Sequence, residues 1–298
     1  MPGRSEDTIA KCTILANTHV IPALGTRKLR ELTADDVDRW LATKAKALST
    51  STLQTLHSIL RRSITRAQAR DKVKRNVVLL CDIPQGKGGR PSKSLTFAQA
   101  EALLAAAESR PLHAYVVVSL LTGARTEELR ALTWSHVDLD ATLPVIMVWR
   151  SVRVGGDTKT RKSRRTLELP QRCADALRLH RGDQDQLRTR AGEKWHDNDL
   201  VFASRVGTAL WAGNVRRSFR TVLAAAGLDP AEWTPRELRH SFVSLMSDAG
   251  VPIEQIGRLV GHTGTTTTET VYRKQIRPVV TGGAAVMDSL FPRRDADA

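Results

Sequence analysis

Apolar positions in the first 88 residues recur with helical spacing. In ELTADDVDRWLATKAKAL, Val37, Trp40, Leu41 and Ala45 fall on one face. Thr33 stands just ahead of Asp35 and Asp36 and has the side chain of a helix start. In STLQTLHSILRRSITRAQARD, Leu53, Leu56, Leu60, Ile64 and Ala67 form a stripe, and His57, Arg61, Arg62, Arg66 and Arg70 cover the rest of the cylinder. Periodicity then stops. IPQGKGGRPSKSLT holds three glycines, two prolines and three basic residues, the composition of a linker. The predicted organisation is a helical domain over 1–82, a basic Gly/Pro linker over 83–95 and a second domain over 96–298.

The second domain opens on a helix, with Thr96 and Gln99 at capping-box spacing before AEALLAAA. HAYVVVSLLTG predicts a buried helix ending near Gly123. TGARTEELRALTW predicts another, packed through Leu129, Leu132 and Trp134. PVIMVWRSVRV, over 144–154, is β-branched and predicts a strand. The basic stretch GGDTKTRKSRR separates it from the alternating TLEL, so two or three antiparallel strands joined by a basic turn are expected. CADALRLHRGDQDQL predicts a helix and DLVFAS a short strand. AGNVRRSFRTVLAAAGL, TPRELRHSFVSLMSDAG and PIEQIGRLVGH predict three more helices. The fold class expected is mainly α with a small antiparallel β-sheet.

Charge sharpens this picture. The 298 residues carry 46 Lys and Arg against 31 Asp and Glu, a formal net charge of +15. Such an excess favours a polyanionic partner, nucleic acid above all; a basic soluble protein without one is the plain alternative. The chain has no apolar run of the ~18–20 residues that span a bilayer and no apolar leader, so a cytoplasmic, nucleoid-associated protein is expected. Cys12, Cys81 and Cys173 have neither disulfide-framework nor zinc spacing. Phosphate-loop, dinucleotide, zinc-protease and serine-elbow motifs are absent, and the eight histidines do not cluster. No metal and no cofactor is called for. What remains is a set of cationic side chains and two tyrosines: Tyr115, inside an apolar helix, and Tyr272, in the polar TTTTETVYRK.

TGARTEELRALTWSHVDL, TKTRKSRRTLEL, TPRELRHSFVSLMSDAGVPIEQIGRLVGH and TTTTETVYRK, in that order and spacing, resemble the tyrosine recombinase (phage integrase) family. The likeness covers nearly all of 96–275; the helical N-terminal region is similar, more weakly, to the family's core-binding domain. It implies a two-domain architecture, a core-binding domain followed by an α+β catalytic domain. It implies an enzyme that cuts and rejoins DNA through a 3′-phosphotyrosine, storing the phosphodiester energy in the protein link. On this resemblance Tyr272 is the nucleophile, Arg125 and Arg239 clamp the phosphate, and Lys159 is the general acid on the hairpin. Lys162 is its rival there. His262 donates to a nonbridging oxygen. Glu128 supports the cluster and His240 holds its helix. Arg236 stands where the family often has histidine, keeping a phosphate donor but removing a neutral imidazole. Arg161, Lys162 and Arg164 in the turn, and Arg61, Arg62 and Arg66 in the first domain, are expected on the DNA backbone.

The expected partner is double-stranded DNA bearing recombination sites, with no membrane. Val279, Val280, Val286, Met287, Leu290 and Phe291 form an apolar tail. Exchange of this tail between protomers predicts a tetramer on DNA, compatible with a monomer off it. A catalytically inactive DNA-binding relative is the alternative. The chain begins almost directly in the core-binding region, so an arm-site-binding domain is either lacking or cut away.

Overall fold

The structure, a computed structural model, describes residues 6–88, 93–149, 151–152 and 164–261. The chain divides into two compact units, Met1–Pro91 and Ser92–Ala298.

The first unit is helical: α1 (Glu6–Leu15), α2 (Ile21–Leu24), α3 (Ala34–Ala45) and α4 (Thr50–Gln68), with a π-helical turn at Ala16–Val20 and 3-10 turns at Leu29–Glu31 and Val77–Leu80. Helix α3 starts where its sequence predicts. Thr33 Oγ1 accepts from the Asp36 N–H at 3.2 Å, and the Asp36 carboxylate accepts from the Thr33 N–H at 3.3 Å. Arg27 and Arg39 pair with the same carboxylate at 2.6 and 2.8 Å. The two predicted stripes meet. Val37, Trp40 and Leu41 pack on Leu53, Leu56, Leu60 and Ile64, and Leu32, Val77 and Val78 close the core. Buried Asn76 fastens the last turn to α4, donating to Arg61 O and Thr65 Oγ1, both at 2.9 Å. Part of the glycine-rich segment is also tied to this unit. Gly86 N donates to Thr50 Oγ1 at 3.0 Å and Lys87 N to Leu48 O at 2.8 Å. A Cβ on Gly86 would lie 2.3 Å from Leu48 O, so glycine is required there.

The second unit contains α5 (Phe97–Ala107), α6 (His113–Thr122), α7 (Thr126–Leu129), β1 (Val137–Asp138), β2 (Val145–Val148), β3 (Arg165–Glu168), α8 (Gln171–Ala191), α9 (Ala212–Ala225), α10 (Pro235–Asp248) and α11 (Ile253–Val260). The strands form one antiparallel sheet in the order β1-β2-β3, with Ile146 opposite Leu167 and Val148 opposite Arg165. The predicted Thr96–Gln99 capping box opens α5. Helix α6 is the centre of the unit. Ala114 to Leu120 are buried, and the helix packs against α8 on one side and α10 on another. Each fully buried Val or Leu contributes about 1.5–3 kcal/mol relative to exposure. Leu95, just before α5, is also in this core. The mainly helical fold with one small antiparallel sheet agrees with the expectation from sequence.

Two local expectations are corrected. The helix predicted across TGARTEELRALTW is cut to the four residues of α7, because the following backbone turns to another partner: Leu132 O accepts from Val201 N at 2.9 Å. DLVFAS forms no strand. It makes two isolated bridges, Thr133–Leu200 and Ala203–Ala209, and Asp199 sits at φ 54°. Among the described residues no helix is long and apolar enough to cross a membrane, and no group of three His, Cys, Asp or Glu is placed to hold a metal. The three cysteines are buried free thiols.

Candidate active site

Local sequence delivers two arginines to one place. Helix α6 ends at Gly123, in the left-handed region at φ 63°, where a Cβ would meet Phe242 Cδ1 at 2.5 Å. This turn releases the chain so that Arg125 caps α7. Helix α10 begins with Pro235 in its first turn. The Thr234 N–H and hydroxyl both donate to Glu237, at 2.7 and 2.6 Å. Arg239 lies one turn further on, 7% exposed, and donates from Nη1 to Gly123 O at 2.8 Å. The second arginine is thus anchored two residues from the first.

The C-terminal end of α11 gathers the cluster. Its Leu259 O accepts from Arg165 Nε at 2.7 Å, Val260 O from Arg239 Nη2 at 2.6 Å, and Gly261 O from Arg125 Nη2 at 3.4 Å. These carbonyls carry the negative end of the helix dipole and lack partners within the helix, which is why guanidinium groups collect there. Gly261 adopts φ 67°, as a helix-ending glycine does.

Glu128 is the buried counterion. Its carboxylate accepts from the Arg125 N–H at 2.8 Å and from Arg125 Nη1 at 2.6 Å. Arg165 Nη1 and Nη2 donate to its two oxygens at 3.2 and 2.9 Å. Burial opposes the charged form, but the hydrogen bond and charge of Arg165, then the charge of Arg125, outweigh it. The carboxyl is held at about 2, below the ordinary 4.5. Three guanidiniums against one carboxylate leave these four side chains with a net charge of +2. Arg125 keeps 31% of its side chain exposed, so part of that charge faces solvent. Such a charge surplus is chemically able to hold an oxyanion and to stabilise negative charge developing on it.

His240 is buried next to Arg239. Burial, with the charge of Arg236, pushes its imidazole down to about 4, so it is neutral at physiological pH. Arg236 is exposed on the first turn of α10. Arg164 is exposed at the edge of β3. On α4, Arg61 and Arg66 are exposed, while Arg62 is half-buried, donating from Nε to Ser58 O at 3.0 Å and from Nη2 towards Cys12 Sγ at 3.9 Å. Lys159, Arg161, Lys162, His262, Tyr272 and the apolar tail lie outside the described residues.

Tyr115 is 1% exposed, edge-on to Phe202 at 5.2 Å between ring centroids, and burial drives its phenol further from ionisation. It cannot serve as a nucleophile toward a polyanion.

Two features escape a reading by motif. One is Arg165, whose place in the cluster is signalled only by alternation: Arg165, Leu167 and Leu169 share the inward face of TLEL. The other is the outer face of α9. Val215, Phe219, Val222 and Leu223 are buried, leaving Arg216, Arg217 and Arg220 exposed together.

Residues 93–276 match the Phage integrase family. An integrase from Streptomyces ambofaciens is 63% identical over 99% of this chain and 78% of its own length. A XerC-like tyrosine recombinase from Caldanaerobacter subterraneus is 25% identical over 60% of this chain and 50% of its own. Among solved structures, the Tn1549 transposon integrase in complex with transposon right end DNA superposes with a TM-score of 0.75. It covers 97% of this chain and 95% of that one at 21% identity. A lambda integrase tetramer bound to a Holliday junction gives 0.66 at 18% identity, covering 91% and 72%.

Proposed function

Because the chain belongs to the phage integrase family and is a site-specific tyrosine recombinase, we propose that Tyr272 is its nucleophile and that Arg125 and Arg239 hold the scissile phosphate. The observation that carries this reading is the convergence of both arginines, from segments 114 residues apart, on the end of α11 and the turn at Gly123. The chain has two tyrosines and Tyr115 is sealed in the core, which leaves Tyr272 for the chemistry.

The phenol oxygen of Tyr272 attacks the phosphorus in line, forming a 3′-phosphotyrosine as the bond to the 5′-oxygen breaks. Lys159 gives the leaving oxygen its proton. The 5′-hydroxyl of a partner strand then attacks the phosphotyrosine and returns the phenol. A free phenol with a pKa of about 10 is mostly protonated at neutral pH; cations around it favour the phenolate, and the arginine forks stabilise charge on the phosphorane-like transition state. His262 donates to a nonbridging oxygen, and Arg236 supplies a further cation on the first turn of α10. Glu128 is a support: with so low a pKa it does not trade protons near neutrality. Arg61, Arg62 and Arg66 in residues 1–82 bind DNA backbone, as do Arg161, Lys162 and Arg164 in the turn.

The substrate in this reading is double-stranded DNA carrying recombination sites, bound by residues 1–82 and 96–298 joined through 83–95. The tail after Tyr272 docks on a neighbouring protomer to build a tetramer. A nicked duplex that loses its 5′-hydroxyl strand after cleavage tests the proposal. The wild-type chain is expected to form a covalent DNA adduct and Tyr272→Phe none. An adduct of equal yield in Tyr272→Phe refutes the assignment.

A further inference from the structure

Arg165 sits in the basic run TKTRKSRR, where every cation is a candidate for the DNA backbone. Its surroundings say otherwise. The side chain is only 8% exposed, against 31% for Arg125. Its fork grips Glu128 through both oxygens, and its Nε holds Leu259 O, 94 residues away in sequence. The guanidinium therefore touches the carboxylate that fixes Arg125 and the carbonyl next to the one that fixes Arg239.

Room for it is provided deliberately. A Cβ on Gly261 would lie 3.0 Å from Arg165 Nη1. Strand pairing fixes its root, since Arg165 is opposite Val148 in the β2–β3 ladder. The residue is thus a rigid crossbeam between the sheet, α7 and α11.

We propose that Arg165 is a positioning residue of the recombinase: through Glu128 and the end of α11 it sets the spacing of the Arg125 and Arg239 guanidiniums, and it does not itself contact DNA phosphate. This rests on the reading of Arg125 and Arg239 as the phosphate clamp. Glu128 left without Arg165 would lean wholly on Arg125 and tilt its fork out of line, while its charge stays beside the phosphate. A lysine at 165 keeps the charge but cannot span both carboxylate oxygens and a carbonyl at once. Displacing reacting groups by about 1 Å can cost on the order of 10²-fold in rate.

The experiment uses the full chain, a nicked suicide duplex and single-turnover conditions at saturating protein. It compares wild type, Arg165→Lys, Arg165→Gln, Glu128→Gln and the Arg165→Gln/Glu128→Gln double variant. In parallel, DNA affinity is measured against salt. Arg165→Lys and Arg165→Gln are expected to cleave about 10²-fold more slowly. Their salt dependence should equal that of wild type, because no phosphate contact is lost. The double variant should be no slower than the slower single variant, since both act through one link. Three outcomes overturn the proposal: a salt slope reduced by about 0.9 with cleavage restored at saturation, additive losses in the double variant, or a cleavage rate unchanged in Arg165→Gln. Should Arg165→Gln fail to bind DNA at all, the double variant decides, because it removes the buried carboxylate together with the guanidinium that spans it; wild-type cleavage by the double variant overturns the proposal. If the wild-type chain forms no adduct, the assignment of the clamp and nucleophile fails, a result distinct from any of these.

Discussion

Replacing Glu128 with Gln perturbs the cluster at its one buried negative charge. The substitution keeps volume and one acceptor but removes the carboxylate that both Arg125 and Arg165 grip. Removing one partner of a buried ion pair costs about 3–5 kcal/mol. A second figure comes from the depressed ionisation: a carboxyl held at about 2 instead of 4.5 corresponds to about 3 kcal/mol in favour of the charged form. Because the folded value is depressed, this stabilisation is fully present above pH 4.5 and is lost as pH falls through 2. Urea unfolding followed by tryptophan fluorescence measures it, since five of the six tryptophans, Trp134, Trp149, Trp195, Trp211 and Trp233, lie in the second unit. Wild type is expected to exceed Glu128→Gln by about 3 kcal/mol at pH 7, and the difference should shrink steadily below pH 4.5. A difference under about 1 kcal/mol, or one that stays constant down to pH 2.5, refutes the view of Glu128 as a buried counterion.

Other perturbations follow the same logic. Gly123→Ala places a Cβ against Phe242 at a positive φ; it should destabilise by about 1–3 kcal/mol and slow adduct formation, because the Gly123 carbonyl anchors Arg239. His240, depressed to about 4, contributes stability that is complete above pH 6.5 and is lost as pH falls toward 4, about 3 kcal/mol in all; His240→Gln should flatten that part of the urea profile. Tyr115→Phe loses one long hydrogen bond to Thr126 O at 3.5 Å and should cost under about 1 kcal/mol with adduct yield unchanged. Removing 277–298 should leave single-site DNA binding, read by gel shift, and abolish the pairing of two duplexes.

What the sequence makes legible here is local. The capping pairs Thr33–Asp36 and Thr96–Gln99 specify two helix starts because the partners are three residues apart and need nothing else. The stripe of Leu53, Leu56, Leu60 and Ile64 is equally self-contained. Where the text fails, a distant partner decides. Leu132 O bonds Val201 N, so a helical pattern after α7 stops early and DLVFAS is consumed in two isolated bridges. An apolar run this short carries no period that separates a strand from an irregular buried segment.

The same division holds at the site. Arg125 and Arg239 stand out in their motifs, and Glu128 lies one turn from Arg125. Arg165 is hidden among four neighbouring cations, because what distinguishes it is a carbonyl 94 residues on. Only the period-two alignment with Leu167 and Leu169 points it inward. The basic face of α9 is visible as amphipathicity, yet no motif marks it.

The proposed chemistry rests on an ester joining Tyr272 to the 3′ end of the cut strand. Mass spectrometry of the protease-digested wild-type adduct tests it most directly. A single cross-linked peptide containing Tyr272, carrying the nucleotide through its 3′-phosphate, is expected. A linkage through a 5′-phosphate, or a cross-link mapped to any other residue, contradicts it.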